Sequence, residues 1–296
     1  MKTTIFRGSG TALITPMDEN GDIYYEKLEE LLEEQIAEGT DAVIVAGTTG
    51  ESACLTADEH SRLIRFCSKT VHGRIPVIAG AGSNCTAHAQ ELCESAEKAG
   101  ADALLLVTPY YNKCSQEGLV RHYAACAGRT TLPLILYNVP SRTGVNIQPS
   151  TYEKLVEIPN IAAVKEASGD FTQISRIAAQ YEDRLDIYCG NDDQIIPMLS
   201  IGAKGVISVL SNICPADVHR ICASYQAGNQ KESKRLQLIY EKLIAALFSD
   251  VNPIPVKTAM NLMGKQVGPC RLPLCEMEDG AREALHRCLA EYHLLP

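Results

Sequence analysis

The chain has 296 residues, of which 46% are hydrophobic and 21% charged, and its formal net charge is -9. The acidic charge argues against nucleic acid and anionic membranes as partners, because both are negatively charged. No apolar run approaches the ~18 residues of a membrane helix and no signal-peptide core is visible, so the sequence predicts a cytoplasmic protein.

Short apolar runs recur along the chain at intervals of about 20 to 35 residues, the length of one strand-loop-helix unit. The runs are continuous rather than alternating, which predicts strands covered on both faces of a parallel sheet. There are eight of them, at residues 10–16, 41–51, 75–84, 101–112, 132–144, 161–170, 185–193 and 204–212.

Helical patterns fill the gaps between these runs. In the first gap, Leu28, Leu32 and Ile36 recur at the spacing of one helical face. In the second gap, Thr56 and Glu59 have the spacing of a capping box, which marks a helix start. Eight strands alternating with helices predict a (β/α)8 TIM barrel. An open, doubly wound sheet is the alternative, but no G-x-G-x-x-G follows the first run.

The region after the eighth run is helical in pattern and lacks a flexible linker. We therefore predict two parts, a catalytic barrel at residues 1–214 and a helical extension packed on it at residues 215–296.

Residues that bind metals or cofactors are not grouped in this sequence. The 12 cysteines form no CxxC pair, which indicates free thiols in a reducing compartment. The seven histidines are scattered, without an HExxH motif, and no phosphate-binding loop occurs. We expect chemistry that needs no cofactor and no metal.

Lys165 ends the sixth apolar run, in "IAAVKEASGD". A surface lysine paired with Glu166 or Asp170 is the ordinary interpretation of such a position. In a TIM barrel, however, strand ends form the active site. A lysine that forms an imine must be uncharged to attack a carbonyl, and partial burial disfavours the charged form. Lys165 is therefore the predicted nucleophile.

Two other strand ends supply further candidates. Tyr137 ends the fifth run, one barrel step from Lys165, where a phenol can shuttle protons. In "GTTGE", Thr48 and Thr49 offer N–H and hydroxyl groups to a carboxylate. Arg142 follows the fifth run, and its planar head suits bidentate carboxylate binding.

The motifs "GTTGES", "TPYYN", "YNVPSRTG" and "VKEASGD", in this order and together with the late "NPIPVK", resemble those of the dihydrodipicolinate synthase family. The resemblance covers essentially the whole chain. It implies a pyruvate-dependent aldolase fold and reaction, in which pyruvate forms a Schiff base with Lys165. The enamine then attacks L-aspartate 4-semialdehyde, in the pathway to diaminopimelate and lysine.

The resemblance also implies roles for individual residues. Thr48, Tyr137 and Tyr111 match a proton relay, with Tyr111 supplied by a neighbouring subunit of a homotetramer. Thr48 and Thr49 match the cradle for the pyruvate carboxylate, and Arg142 matches the residue that holds the semialdehyde carboxylate. Two further positions match backbone that lines the site, namely Gly190 and Ile207.

A site for lysine as a feedback inhibitor is a further implication. Its matching positions are Ser52, Ala53, Ala57, His60, Asn84, His88 and Tyr110. Strongly inhibited relatives carry a glutamate where His88 stands, and a histidine is a poor substitute for that anion. We therefore expect weak or absent inhibition by lysine.

Alternative functions remain at this stage. An N-acetylneuraminate lyase or a 2-keto-3-deoxy sugar acid aldolase shares the lysine chemistry, but its aldehyde does not need the cation of Arg142. A barrel that only senses a 2-oxo acid, and a metal-dependent aldolase, are less compatible with the residues above.

Overall fold

The computed structural model describes residues 4–296 and forms a closed parallel barrel in which each strand pairs with its neighbours in chain order. This confirms the predicted TIM barrel. The strands are β1 (Gly8–Ala12), β2 (Ala42–Val45), β3 (Val77–Gly80), β4 (Ala103–Val107), β5 (Leu134–Asn138), β6 (Ile161–Glu166), β7 (Asp186–Cys189) and β8 (Gly205–Ser208).

Helices connect the strands and follow the last one. Those between strands are α1 (Tyr25–Ala37), α2 (Ala57–Val71), α3 (Thr86–Ala99), α4 (Gln116–Ala127), α5 (Pro140–Thr143), α6 (Pro149–Leu155), α7 (Phe171–Tyr181) and α8 (Ile195–Ser200). Those after β8 are α9 (Pro215–Gln226), α10 (Gln230–Ile239), α11 (Glu241–Leu247), α12 (Ile254–Leu262) and α13 (Asp279–Glu291).

Closure of the barrel depends on glycines in the first and last strands. Strand β1 begins at Gly8, two residues before the apolar run that predicts it. A side chain at Gly205 of β8 would lie 1.9 Å from the Gly8 carbonyl oxygen. The strands can meet here because Gly205 has no Cβ, and Gly8 has none to clash with the Asp41 carboxylate, whose Oδ2 would lie 2.1 Å away. Glycine is a poor strand former, so the hydrophobic pattern missed this start.

Local signals fixed the helix boundaries well. The α2 capping box is present, since the Thr56 side chain accepts from the Glu59 N–H and the Glu59 side chain accepts from the Thr56 N–H. Leu28, Leu31 and Leu32 of α1 are buried, as their spacing predicts. These helices pack on the outside of the barrel and cover its strands.

Apolar side chains form two layers. The outer layer lies between the strands and the helices. A smaller cluster fills the barrel interior and includes Ile44, Leu105, Ile135 and Tyr188. Because this interior is solid, ligands have access only to the barrel ends.

The helices after β8 do not separate from the barrel. Helix α9 contacts β1 and β8 and so completes the eighth strand-helix unit. The predicted boundary at residue 214 precedes this helix, whereas the additional helices begin with α10. The loop before α12 then reaches back to the strand ends.

Among residues 4–296, no helix is long and apolar enough to cross a membrane.

Candidate active site

A cavity of about 180 Å³ opens at the C-terminal ends of the strands. Its walls come from strand ends, the loops that follow them and the segment before α12. The residues lining it are Ala12, Ile44, Gly47, Thr48, Thr49, Leu105, Tyr137, Val139, Ser141, Arg142, Lys165, Ala167, Gly190, Asn191, Val209, Phe248 and Asn252. A volume of this size suits a small organic acid.

Lys165 and Tyr137 are register partners on the adjacent strands β6 and β5. Both side chains are buried, with 6% and 7% of their surface exposed. Lys165 Nζ lies 4.4 Å from the centroid of the Tyr137 ring. The structure thus brings together the predicted nucleophile and the predicted proton shuttle, and an aromatic ring covers the amine.

Gly190 gives the lysine its space. A Cβ at this position would lie 2.7 Å from the Ala167 Cβ and 3.2 Å from the Lys165 Cε. Any larger residue would therefore clash with Ala167 and crowd the Lys165 side chain. Ile207, the other predicted backbone position, lies in the interior cluster, while Val209 lines the cavity beyond it.

Thr48 and Thr49 lie in a tight turn after β2. The Glu51 N–H donates to the Thr48 carbonyl at 3.1 Å, and Glu51 has a left-handed backbone, with φ of 57°. Gly50 packs closely against the end of β1, where an added Cβ would lie 3.1 Å from the Leu13 carbonyl oxygen. The turn is thereby fixed, with both threonines along the cavity wall.

Arg142 lies on α5 at the cavity rim and is exposed. Its Nη2 donates to the Asn252 carbonyl at 3.5 Å, a long and weak hydrogen bond. The guanidinium head is therefore available to an anionic substrate at the entrance.

Tyr111 does not join the cavity of its own chain. Its side chain is 89% exposed, and its backbone has φ of 71°. The predicted role of Tyr111 thus requires a second subunit, as the family resemblance implies.

A second cavity, of about 630 Å³, adjoins the first and shares Thr48, Val139, Arg142 and Asn252 with it. Six of the seven positions of the predicted lysine site line this cavity, namely Ser52, Ala53, Ala57, His60, His88 and Tyr110. Asn84 lies outside the lining, and its carbonyl accepts from the Asn112 side chain at 2.9 Å.

The histidines of this second cavity differ in environment. His60 is buried and its Nε2 lies 2.7 Å from the Gly80 carbonyl oxygen. Burial lowers its pKa, which favours the neutral ring. The His88 side chain is about half exposed and lies 3.5 Å from Glu91.

Two buried carboxyls, those of Asp192 and Glu166, support the strand ends. Asp192 accepts hydrogen bonds from the Val209 and Leu210 N–H groups, at 2.9 and 3.0 Å, and so ties the β7 end to the β8 end. Glu166 accepts from the Asn138 side chain and the Ser168 N–H. Burial raises the pKa of both carboxyls above their ordinary values. Their position at strand ends was their only signal in the sequence.

The segment before and within α12 contributes residues near the cavities that the sequence motifs did not predict. Asn252 lines both cavities, and Lys257 forms a buried ion pair with Glu51 at 2.8 Å. The "NPIPVK" motif contains both residues, but nothing local to the motif assigns them to this site. No group of three or more His, Cys, Asp or Glu residues between positions 4 and 296 is arranged to hold a metal ion.

The closed parallel barrel, with a lysine of β6 beside a buried tyrosine in the cavity at its strand ends, puts this chain in the class of TIM barrels that carry a lysine at the barrel mouth. Within that class, the chain belongs to the dihydrodipicolinate synthetase family, whose model matches residues 5–292.

Curated relatives match over nearly the full length. The 4-hydroxy-tetrahydrodipicolinate synthase of Thermoanaerobacter sp. (strain X514) is 52% identical over 292 residues, covering 98% of each chain. The 4-hydroxy-tetrahydrodipicolinate synthase of Lachnoclostridium phytofermentans is 54% identical over 282 residues, covering 95% of this chain and 96% of its own.

Solved structures agree with this assignment. A chloride-inhibited dihydrodipicolinate synthase from Acinetobacter baumannii, complexed with pyruvate, superposes with a TM-score of 0.96 at 41% identity, covering 99% of this chain and 100% of its own. A dihydrodipicolinate synthase from Cyanidioschyzon merolae with lysine bound gives a TM-score of 0.95, also at 41% identity and with the same coverage.

Proposed function

We propose that this protein is a 4-hydroxy-tetrahydrodipicolinate synthase, which condenses pyruvate with L-aspartate 4-semialdehyde in diaminopimelate and lysine biosynthesis. The observation that carries the proposal is the buried pair of Lys165 and Tyr137 at the barrel mouth. The names of full-length relatives at 52% and 54% identity support the same reaction.

The reaction begins with the amine of Lys165. Its nitrogen attacks the keto carbon of pyruvate, and loss of one water leaves a protonated imine. The positive nitrogen withdraws electrons from the neighbouring methyl group, which loses a proton to give an enamine. No external cofactor is required, because the imine itself accepts the electron pair.

The enamine carbon then attacks the aldehyde carbon of the second substrate, and the aldehyde oxygen takes up a proton. The amino group of the bound product attacks the imine carbon and displaces Lys165. The ring closes and the free amine returns, so the net reaction releases one water.

Protons must move at each of these steps. The contact of Tyr137 with Lys165 supports a proton-transfer role for the phenol, and Thr48 lines the same cavity. Tyr111 is exposed here, and we propose that it completes the relay in the cavity of a neighbouring subunit. That arrangement requires at least a dimer, and we propose a homotetramer.

The two substrates carry carboxylates that need separate partners. We assign the pyruvate carboxylate to the Thr48–Thr49 turn and to the backbone near Gly190 and Ile207. We assign the carboxylate of the semialdehyde to Arg142, which lies at the rim and is exposed. The twelve cysteines are free thiols, which supports a cytoplasmic location.

We also propose that lysine binds the second cavity weakly. Its lining includes His60 and His88, and its one acidic residue among those described, Glu51, is already paired with Lys257. The ammonium of a bound lysine would therefore lack a strong anionic partner at this point.

Borohydride reduction in the presence of pyruvate tests the proposal. We expect a covalent adduct on Lys165, identified by mass spectrometry, and no adduct in Lys165→Ala. Lys113→Ala, which changes an exposed loop lysine, is the matched control and should retain the adduct. A wild-type protein without an adduct would indicate a barrel that only binds 2-oxo acids.

A rate assay with two aldehydes then identifies the reaction. We expect condensation with L-aspartate 4-semialdehyde and little turnover of polyol aldehydes. Preferred turnover of a sugar acid would overturn the assignment in favour of the sugar acid aldolases.

A further inference from the structure

The 252–257 segment, which carries the sequence "NPIPVK", contacts the turn after β2 at two points. Asn252 Nδ2 donates to the Thr49 hydroxyl oxygen at 3.0 Å. Lys257 Nζ donates to a carboxylate oxygen of Glu51 at 2.8 Å. The C-terminal extension therefore contacts the predicted substrate cradle directly, about 200 residues away along the chain.

The contact with Asn252 determines how the Thr49 hydroxyl can act. A hydroxyl has one hydrogen to donate and two lone pairs that accept. Here the oxygen accepts from an amide nitrogen, which cannot accept in return. Thr49 Oγ1 makes no other hydrogen bond within residues 4–296. Its hydrogen is thus left for a ligand, and Thr49 lines the cavity that contains Lys165.

The ion pair holds the segment in place. Lys257 is 2% exposed, and it also donates to the carbonyl oxygens of Thr15 and Pro269, at 3.0 and 2.5 Å. The second carboxylate oxygen of Glu51 accepts from the Arg271 N–H at 2.8 Å. Each charge is therefore well hydrogen-bonded, which offsets the large cost of removing it from water.

We propose that Asn252 is a positioning residue, which keeps the Thr49 hydroxyl hydrogen directed into the cavity as a donor to the carboxylate of the keto acid. The Glu51–Lys257 pair fixes the segment from which Asn252 acts. This inference rests on the proposed function only in that the cavity binds a 2-oxo acid.

Asn252→Asp is the decisive variant. It preserves the shape of the side chain but replaces the amide donor with an acceptor, so the Thr49 hydroxyl turns towards it and its hydrogen leaves the cavity. We expect the pyruvate KM to rise about tenfold or more while kcat stays within about threefold of wild type. An unchanged pyruvate KM would overturn the inference.

A direct repulsion between the new carboxylate and pyruvate could also raise KM, and a double-mutant cycle separates the two effects. In a Thr49→Val background the hydroxyl is already absent, so Asn252→Asp should add less than about twofold. An equal rise in both backgrounds would show that Asn252 does not act through Thr49.

Asn252→Ala extends the cycle in case the aspartate variant does not fold. This change frees the Thr49 hydroxyl to rotate, so it should raise the pyruvate KM when Thr49 is present. In the Thr49→Val background, where there is no hydroxyl to orient, the same change should leave KM unaltered. A rise of equal size in both backgrounds would contradict the inference.

Borohydride trapping with pyruvate alone keeps this inference separate from the proposed reaction. The pyruvate concentration for half-maximal adduct should follow the same pattern as KM in all variants. Absence of an adduct in the wild type rejects the proposed function itself. A normal wild-type adduct with an unaffected Asn252→Asp variant rejects only the role of Asn252.

Discussion

Tyr137 and Lys165 occupy the same register position on two adjacent strands, and Lys165 Nζ lies 4.4 Å from the centroid of the Tyr137 ring. Parallel pairing places both side chains on the inner face at the barrel mouth. The amine and the phenol therefore approach a bound keto acid together. Neither side chain is free to move away, because both are buried.

Replacement of Tyr137 by Phe tests the phenol directly. The ring that covers Lys165 remains, and only the hydroxyl is lost. We expect kcat to fall by about 10²- to 10⁴-fold, the usual effect of losing a general acid-base group. The borohydride adduct should still form at long incubation times, because Lys165 is intact. A kcat within about twofold of wild type would rule out Tyr137 as the shuttle.

Replacement of Arg142 by Met should act on the aldehyde substrate alone. Loss of a charged hydrogen bond worth ~1.5–3 kcal/mol predicts a fall of about tenfold to a hundredfold in kcat/KM for the semialdehyde. The pyruvate KM should be unchanged, as measured by varying one substrate at a time. Arg129→Met is the matched control, since Arg129 pairs with Glu94 on the surface. An equal effect on pyruvate would place Arg142 at the other carboxylate.

Mixing two inactive variants tests whether Tyr111 acts in the neighbouring subunit. Lys165→Ala and Tyr111→Ala should each be nearly inactive. In a mixed dimer, one of the two sites regains both residues, so random mixing should restore about a quarter of wild-type activity. Co-expressed chains with different tags allow the mixed species to be isolated and assayed. No recovery in the isolated mixed species would show that Tyr111 does not act across subunits.

Calorimetric titration with lysine tests the second cavity. We expect no micromolar binding by the wild type, and tighter binding by His88→Glu, because the new carboxylate can pair with an ammonium. The gain should be about tenfold or more and should decrease at high salt. Micromolar affinity of the unmodified protein would contradict the expectation of weak inhibition.

The pair of Glu59 and Arg271 predicts a defined acid sensitivity. Hydrogen bonding to the Arg271 guanidinium lowers the pKa of Glu59 from 4.5 to about 2. Because the pKa is lower in the folded state, the stabilisation is present above about pH 4.5 and is lost as the pH falls towards 2. After allowance for solvent screening, the contribution is about 1 kcal/mol.

Urea unfolding of the wild type and of Glu59→Gln measures this effect. The difference in the free energy of unfolding should be largest near neutral pH and should shrink as the pH drops below about 4.5. Glu283→Gln, in an exposed pair with Arg287, serves as the control and should show little difference at any pH. A difference for Glu59→Gln that does not change with pH would exclude this carboxyl as the cause.

Local sequence patterns predicted the barrel because they indicate which residues are buried and whether the apolar residues recur at the spacing of a helix. The eight apolar runs, each followed by a helical pattern, correspond to the eight strands of the closed barrel. The start of β1 was missed because Gly8 precedes the apolar run and has low strand propensity, and only the close approach of Gly205 in β8 to its backbone explains its place in the strand. Contacts of this kind exist only once the barrel closes.

The sequence by itself determined the barrel, its helix caps and the meeting of Lys165 with Tyr137, because neighbouring parallel strands end at the same mouth. Only the tertiary structure decided which distant groups support that mouth. Asn252, Lys257 and Asp192 lie in segments whose own sequences show burial but not partners. Their hydrogen bonds to the turn after β2 and to the β8 end depend on how the extension packs and how the barrel closes. A periodic pattern encodes which face of an element is buried, whereas the identity of a partner some 200 residues away is set by three-dimensional packing.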